Sequence, residues 1–257
     1  MSQTNFPIRV VPCLDISNGK VVKGVNFVDI REMGDPIELA AYYEEEGADE
    51  LVFLDITATH EQRDTRFDWV EKVARELRIP FCVGGGVRSV EDARRLLDIG
   101  VDKVAVNSAA LQRPELIAEI SEMIGSQSLV VATDVKRNDN GAWDVYTHGG
   151  RKNTGRDALD WIAQAELLGA GELLITSMDG DGTLKGFDVE LYAKVRAASK
   201  LPIIASGGAG TKQHFADVVS QGGADAVLAA SLFHTKTLKI KELKSFLKDQ
   251  NIACRWN

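Results

Sequence analysis

The sequence predicts an α/β fold, a single (β/α)8 TIM barrel built from two repeated half-barrels. Three observations carry that expectation: an internal repeat, eight short apolar runs, and amphipathic stretches between them. The string Glu46-Gly-Ala-Asp-Glu-Leu-Val-Phe returns 122 residues later as Leu168-Gly-Ala-Gly-Glu-Leu-Leu-Ile. Ile79-Pro-Phe-Cys-Val-Gly-Gly-Gly returns, again 122 residues later, as Leu201-Pro-Ile-Ile-Ala-Ser-Gly-Gly. Val101-Asp-Lys-Val-Ala-Val-Asn-Ser returns at 123 as Ala224-Asp-Ala-Val-Leu-Ala-Ala-Ser. Three matches at nearly one offset make the halves, about 1–125 and 126–257, near copies.

In chain order, the Val-, Ile- and Leu-rich runs place strands at about 8–14, 50–55, 80–84 and 103–106 in the first half. In the second half they fall at about 129–134, 172–177, 202–206 and 226–229. Amphipathic stretches between them, such as 36–46, 68–77, 90–99 and 188–198, read as helices. Continuously apolar strands belong to parallel sheets covered on both faces. Four such units occurring twice favour closure into a barrel over a doubly wound open sheet. No Pro/Ser-rich linker parts the halves, since Gly125-Ser126-Gln127 is too short to free them, so one domain spanning 1–257 is expected. After the first strand, Ser17 to Gly24 carries turn chemistry at Asn18-Gly19, which predicts a hairpin or a mobile lid.

Composition narrows the function. The chain has 257 residues, 44% hydrophobic and 26% charged, with net charge −8, and such an acidic surface disfavours nucleic acid and anionic lipid. An anionic small molecule must then be held by local devices such as backbone N–H groups. Cys13 and Cys82 sit in apolar runs and, with Cys254, make an odd count. Buried free thiols in a reducing compartment, the cytoplasm, are expected. No run approaches the roughly 18 apolar residues of a membrane span, and a signal-peptide core is lacking. The four histidines have no metal-ligand spacing, and Asp179-Gly-Asp-Gly-Thr183 lacks the later glutamate of a calcium loop. No metal and no cofactor are expected.

Chemistry gathers at the C-terminal ends of the strands. Gly84-Gly85-Gly86 with Asn107-Ser108 has the repeat mate Ser206-Gly207-Gly208-Ala209-Gly210 with Ala230-Ser231. Glycine lets the backbone approach an anion closely, and the following helix N-terminus supplies positive charge. One Gly-Gly turn is commonly only a tight connection. The same turn kept twice predicts two phosphate sites, hence a long substrate with a phosphate at each end. Ser108 and Ser231 are expected to donate hydroxyls and to cap their helices. The first and fifth strands each end in an aspartate, Asp15 and Asp134. A carboxylate at this face reads as catalytic, and two facing across a mouth can divide acid and base roles. Residues two apart share a strand face. That parity sends Arg9, Glu50, Lys103 and Glu172 into the barrel floor, where two cations and two anions can close a ring of ion pairs. Lys23 could reach the mouth from its loop.

These residues resemble a known family. Pro12-Cys-Leu-Asp-Ile-Ser-Asn-Gly-Lys-Val-Val-Lys-Gly24, Asp49 to Thr57, Asp181-Gly-Thr183, Ile204 to Gly210 and Leu228 to His234 are similar to strings of the cyclase subunits of imidazole glycerol phosphate synthase, from histidine biosynthesis. The likeness covers nearly the whole chain. It implies a ribulosyl-formimino aminoimidazole carboxamide substrate with two phosphates. Ammonia would attack its ketone, yielding imidazole glycerol phosphate and aminoimidazole carboxamide ribotide. The resemblance makes Asp15 and Asp134 the acid–base residues and assigns Lys23 to a lid. It puts Gly86, Asn107 and Ser108 on one phosphate and Asp181, Gly182, Gly208, Ala230 and Ser231 on the other, with Thr176 and Ser206 also lining the substrate site. It implies a partner glutaminase subunit docked at the floor, with Arg9, Glu50, Lys103 and Glu172 as an ammonia gate. Two departures stand out: Ser108 occupies a place where Thr is common, and Gly180 one where larger residues are usual.

The nearest rival is the sibling ribosyl-formimino isomerase of the same pathway, also a doubled barrel with two aspartates but without an ammonia partner. A non-catalytic phosphate-binding barrel is the rival of another class.

Overall fold

The computed structural model describes residues 6–25, 28–56 and 67–256, with the side chains of 23–25, 28–31 and 67 left out. The elements, in chain order, are β1 (Arg9–Ser17), β2 (Lys20–Val25), β3 (Val28–Gly34), α1 (Pro36–Glu45), β4 (Leu51–Asp55), α2 (Phe67–Glu76), β5 (Phe81–Gly84), α3 (Val90–Asp98), β6 (Lys103–Val106), α4 (Ser108–Gln112) and α5 (Glu115–Ile124). The second half follows with β7 (Leu129–Arg137), β8 (Trp143–Thr147), β9 (Lys152–Asp157), α6 (Ala158–Leu167), β10 (Glu172–Ser177), α7 (Val189–Ala198), β11 (Ile203–Ser206), α8 (Lys212–Ser220), β12 (Ala226–Ala229), α9 (Ser231–His234) and α10 (Ile240–Asp249). Strands pair in parallel around a closed ring, β1–β4–β5–β6–β7–β10–β11–β12 and back to β1. The predicted (β/α)8 barrel is what forms, and closure leaves no sheet edge in the ring.

The repeat is visible in the caps as well as the strands. Asp35 and Asp157, 122 positions apart, precede α1 and α6, and each accepts a hydrogen bond at 2.8 Å from the backbone N–H two residues on, Ile37 and Leu159. That satisfies one of the free donors at a helix start. Ser89 closes a capping box with Asp92 at the head of α3, through bonds of 3.1 and 3.0 Å.

An antiparallel excursion rises from the mouth after the first strand of each half. β1 runs into β2 with Ser17 opposite Lys20, so Asn18-Gly19 is a two-residue turn. Both residues have positive φ, 51° and 76°, the requirement of a tight hairpin. The hairpin alternative is therefore the one adopted. Its counterpart, β7–β8–β9, is not foreseen by the sequence reading, because the strand Lys152–Asp157 is entirely polar apart from glycine and shows no apolar alternation.

Apolar burial divides into two cores. The larger lies between sheet and helices. The smaller fills the barrel with Val11, Cys13, Val52, Cys82, Ala105, Val130, Leu174, Ile204, Ala226 and Leu228. Val11 and Cys13, Val52, Ala105 and Leu174 are the residues that strand parity sends inward. Cys13 and Cys82 are buried free thiols, and Cys254 is a half-buried one. Among the described residues no helix is long and apolar enough to cross a membrane.

Candidate active site

The C-terminal rim brings the two aspartates to one mouth. Asp15 lies in β1 between Val22 of β2 and Leu54 of β4. Asp134 lies in β7 between Tyr146 of β8 and Thr176 of β10. Each carboxylate stands where its strand meets the rising hairpin, and loss of hydration penalises the charged form. Burial pushes the Asp15 carboxyl up from 3.8 to about 7, with the negative charge of Asp181 adding to the shift and the Cys13 thiol, 3.9 Å away, opposing it. Burial likewise lifts Asp134 to about 6, against a hydrogen bond from Asn107 Nδ2 at 3.2 Å and with a smaller push from Asp181. Asp181 is itself raised by burial, while the Gly182 backbone N–H opposes the shift. Two neighbouring acids with displaced carboxyls are the electrostatic signature of an acid–base site.

Two cavities flank these acids. One of about 480 Å³ is lined by Gly86, Asn107, Ser108, Asp134 and Thr176. The other, about 150 Å³, is lined by Asp15, Asp134, Thr176, Asp181, Gly182, Ser206, Gly208, Ala230 and Ser231. Asp134 and Thr176 border both, so the cavities meet at the acids. Every predicted phosphate-end residue whose side chain is described thus sits on the expected half of the mouth. Lys23 falls in β2 opposite Arg31, but its side chain lies outside the described residues.

The cradles are duplicates in backbone. Gly85 and Gly207 have φ of 89° and 93°, a region that favours glycine. A Cβ on Gly85 would stand 2.2 Å from the carbonyl oxygen of Asp55, and one on Gly207 2.5 Å from that of Ser177. Asp55 and Ser177 are themselves repeat mates. Gly180 also has a packing reason: a Cβ there would stand 3.0 Å from the Gly207 carbonyl, so the small residue lets this loop lie against the second cradle. The expected capping role of Ser108 and Ser231 is not found. Each is the first residue inside its helix, the caps are Asn107 and Ala230, and neither cap makes a side-chain bond. One position further in, a serine hydroxyl is free of the capping geometry. That of Ser108 instead accepts the His148 backbone N–H at 3.2 Å.

That bond ties the β8–β9 hairpin to the first cradle. The hairpin tip contributes His148, Gly149 and Arg151 to the larger cavity, and Arg88 contributes from the loop after β5. All four lie outside the residues that the sequence singles out. The available signals were the Gly149-Gly150 turn and the position of Arg88 two residues past the triple glycine.

At the opposite end, the floor ring closes as parity requires. Arg9 bonds Glu50 at 2.6 Å and also Glu172, and Lys103 bonds Glu50 at 2.9 Å and Glu172 at 2.7 Å. Glu50 and Glu172 are repeat mates and are almost fully buried, and each is held by both cations. A cavity of about 350 Å³ opens beneath, lined by Phe6, Arg9, Lys103, Glu172 and Asp225 among others. Beside the ring, Lys244 pairs with Asp49 at 2.8 Å, both fully buried, and Asp49 also accepts the Val10 N–H. That pair fastens the C-terminal helix to the floor. Among the described residues no group of three or more His, Cys, Asp or Glu is placed to hold a metal ion.

Comparison with known proteins agrees with this architecture. Residues 9–239 match the family model described as histidine biosynthesis protein. The imidazole glycerol phosphate synthase subunit HisF of Halalkalibacterium halodurans is 55% identical over 248 residues, covering 96% of this chain and 98% of that protein. The chain therefore belongs to the histidine biosynthesis protein family and is an enzyme of the imidazole glycerol phosphate synthase HisF type.

Proposed function

We propose that this chain is an ammonia-dependent cyclase that converts the ribulosyl-formimino aminoimidazole carboxamide bisphosphate to imidazole glycerol phosphate and aminoimidazole carboxamide ribotide. The observation that carries the reading is a pair of half-buried acids, Asp15 and Asp134, at the junction of two glycine-lined cavities. Gly86, Asn107 and Ser108 hold one phosphate, and Asp181, Gly182, Ser206, Gly208, Ala230 and Ser231 surround the other. The ketone then spans the acids. Ammonia adds to its carbon. One carboxyl gives a proton to the carbonyl oxygen as the other takes one from the added nitrogen. Burial raises both carboxyls toward neutral pH, so that each can give or take a proton there. Ring closure and cleavage release two products, each with one phosphate. Thr176 lines the path between the ends, and Lys23 belongs to the hairpin that covers it.

The whole chain works as one barrel domain in the cytoplasm, paired with a glutaminase subunit at its floor. Ammonia enters past Arg9, Glu50, Lys103 and Glu172. Support comes from a ring of charges that spans the floor directly above an open cavity. Incubation with the ketose and ammonium chloride should yield the imidazole product. Adding a glutaminase subunit should let glutamine replace ammonium. A chain that isomerises the aminoaldose and ignores ammonium with the ketose is instead the sibling isomerase.

A further inference from the structure

The end of the β10–β11 pair is clipped by a side chain. Leu173 N–H donates to Pro202 C=O, so the alternation of a parallel ladder would next join Ile175 N–H to Ile204 C=O and Ser206 N–H to Ile175 C=O. The hydroxyl of Tyr192, from α7, stands at that last rung, where Thr176 pairs with Ser206. Its oxygen accepts the Ser206 N–H at 2.9 Å and lies 2.8 Å from the Ile175 carbonyl and 2.7 Å from the Ser206 carbonyl. A phenol has one proton to give and lone pairs to accept with, so one hydroxyl serves both strands at once. Tyr192 has no accessible surface, so no water can take over these contacts.

The rung lies immediately beneath the second cradle. Ser206 lines the smaller cavity, and Gly207 begins the turn that carries Gly208 to its rim. The first half provides an internal contrast. Its helix α2 lies 122 positions before α7, and the mate of Tyr192 is Val70, equally buried but without a polar atom. The clip therefore belongs to one cradle alone.

We propose that Tyr192 is a positioning residue for the second cradle, its buried hydroxyl fastening the ends of β10 and β11 so that Ser206 to Gly208 present their donors to a phosphate group. This deepens the reading of that cavity as an anion site and rests on it. Without the hydroxyl, three backbone groups lose a buried polar partner. Loss of that clip would let Ser206 shift against β10 and turn the cradle away from its ligand.

The test titrates the full chain with inorganic phosphate and follows backbone amides by NMR, Ser108 reporting the first cradle and Gly208 and Ser231 the second. Tyr192→Phe, which keeps the ring, should weaken phosphate binding at the second cradle by about tenfold and leave the first within about twofold. An unchanged second cradle, or equal weakening of both, overturns the proposal, since a purely structural tyrosine would loosen the fold without favouring one cradle. If the variant does not fold, the wild-type hydroxyl proton decides. Shielded from solvent, it should exchange slowly and shift when phosphate is added, and indifference to phosphate overturns the role. None of these readouts needs turnover. A chain that makes no imidazole product yet shows the tyrosine dependence loses the cyclase reading and keeps this one.

Discussion

The two cradles share a backbone and differ in nearly everything else. Both begin with a glycine near φ +90° pressed against the last carbonyl of the neighbouring strand, and both pass a helix start carrying a serine. The first adds Arg88, Arg151 and His148 around a cavity of about 480 Å³. The second, about 150 Å³, has no Arg, Lys or His among its described lining residues and carries Asp15 and Asp181 instead. Duplication has kept what the main chain does and released the side chains. An anion at the first cradle would meet positive charge, whereas the described lining of the second offers N–H groups, hydroxyls and close spacing. A tyrosine clip is of use only in the second.

The largest effects should come where the cradles meet. Asp15→Asn and Asp134→Asn should each fold and each lose turnover by about 10²–10⁴-fold, the worth of a positioned acid or base. Asp134 borders both cavities and Asp15 only the smaller, so near-normal turnover in either variant would assign the chemistry to one half. Backbone perturbation should come next. At Gly208, φ is 105° and an added Cβ would stand 2.0 Å from the Gly186 carbonyl. Gly208→Ala should therefore raise KM by about tenfold or more through the second cradle. An unchanged KM would mean that this turn does not touch substrate.

What could be read in advance follows the strand period. Arg9, Glu50, Lys103 and Glu172 were placed in one ring from parity alone, because a two-residue alternation leaves no freedom once a strand end is known. The glycine turns were legible because they occur twice. Tyr192 was not legible, since on an amphipathic helix it reads as one more core aromatic, and only the register of β10 and β11 shows that its hydroxyl lies in a ladder. Arg88, His148 and Arg151 escaped for a related reason. They converge through the path of two loops, and loop paths depend on tertiary contacts that spacing does not encode.

The arginines offer a smaller and more selective probe. Arg88→Gln and Arg151→Gln should each raise KM by about three- to tenfold, less than a buried charge-assisted bond because both side chains are exposed. The effect should shrink as ionic strength rises. Steady-state kinetics at about 0.05 and 0.5 M salt would check this, and a loss that is indifferent to salt would remove charge from the account of the first cradle.

The smallest effect concerns stability, and its sign is informative. A carboxyl whose folded value is raised costs the folded state free energy when ionised. For Asp15, at about 7 against 3.8, that cost is absent below about pH 4, grows through the interval and is complete above 7. Asp15→Asn should therefore be more stable than the wild type at pH 8, by about 1 kcal/mol once solvent screening is allowed for. The gain should fade as the pH falls toward 4. Asp134→Asn should gain less, because its carboxyl is raised only to about 6 and Asn107 already stabilises the charge. Denaturant unfolding at pH 4, 6 and 8 measures both. If Asp15→Asn gained nothing at pH 8, its carboxylate would be well solvated, and the smaller cavity would be too wet to hold a proton for use near neutral pH.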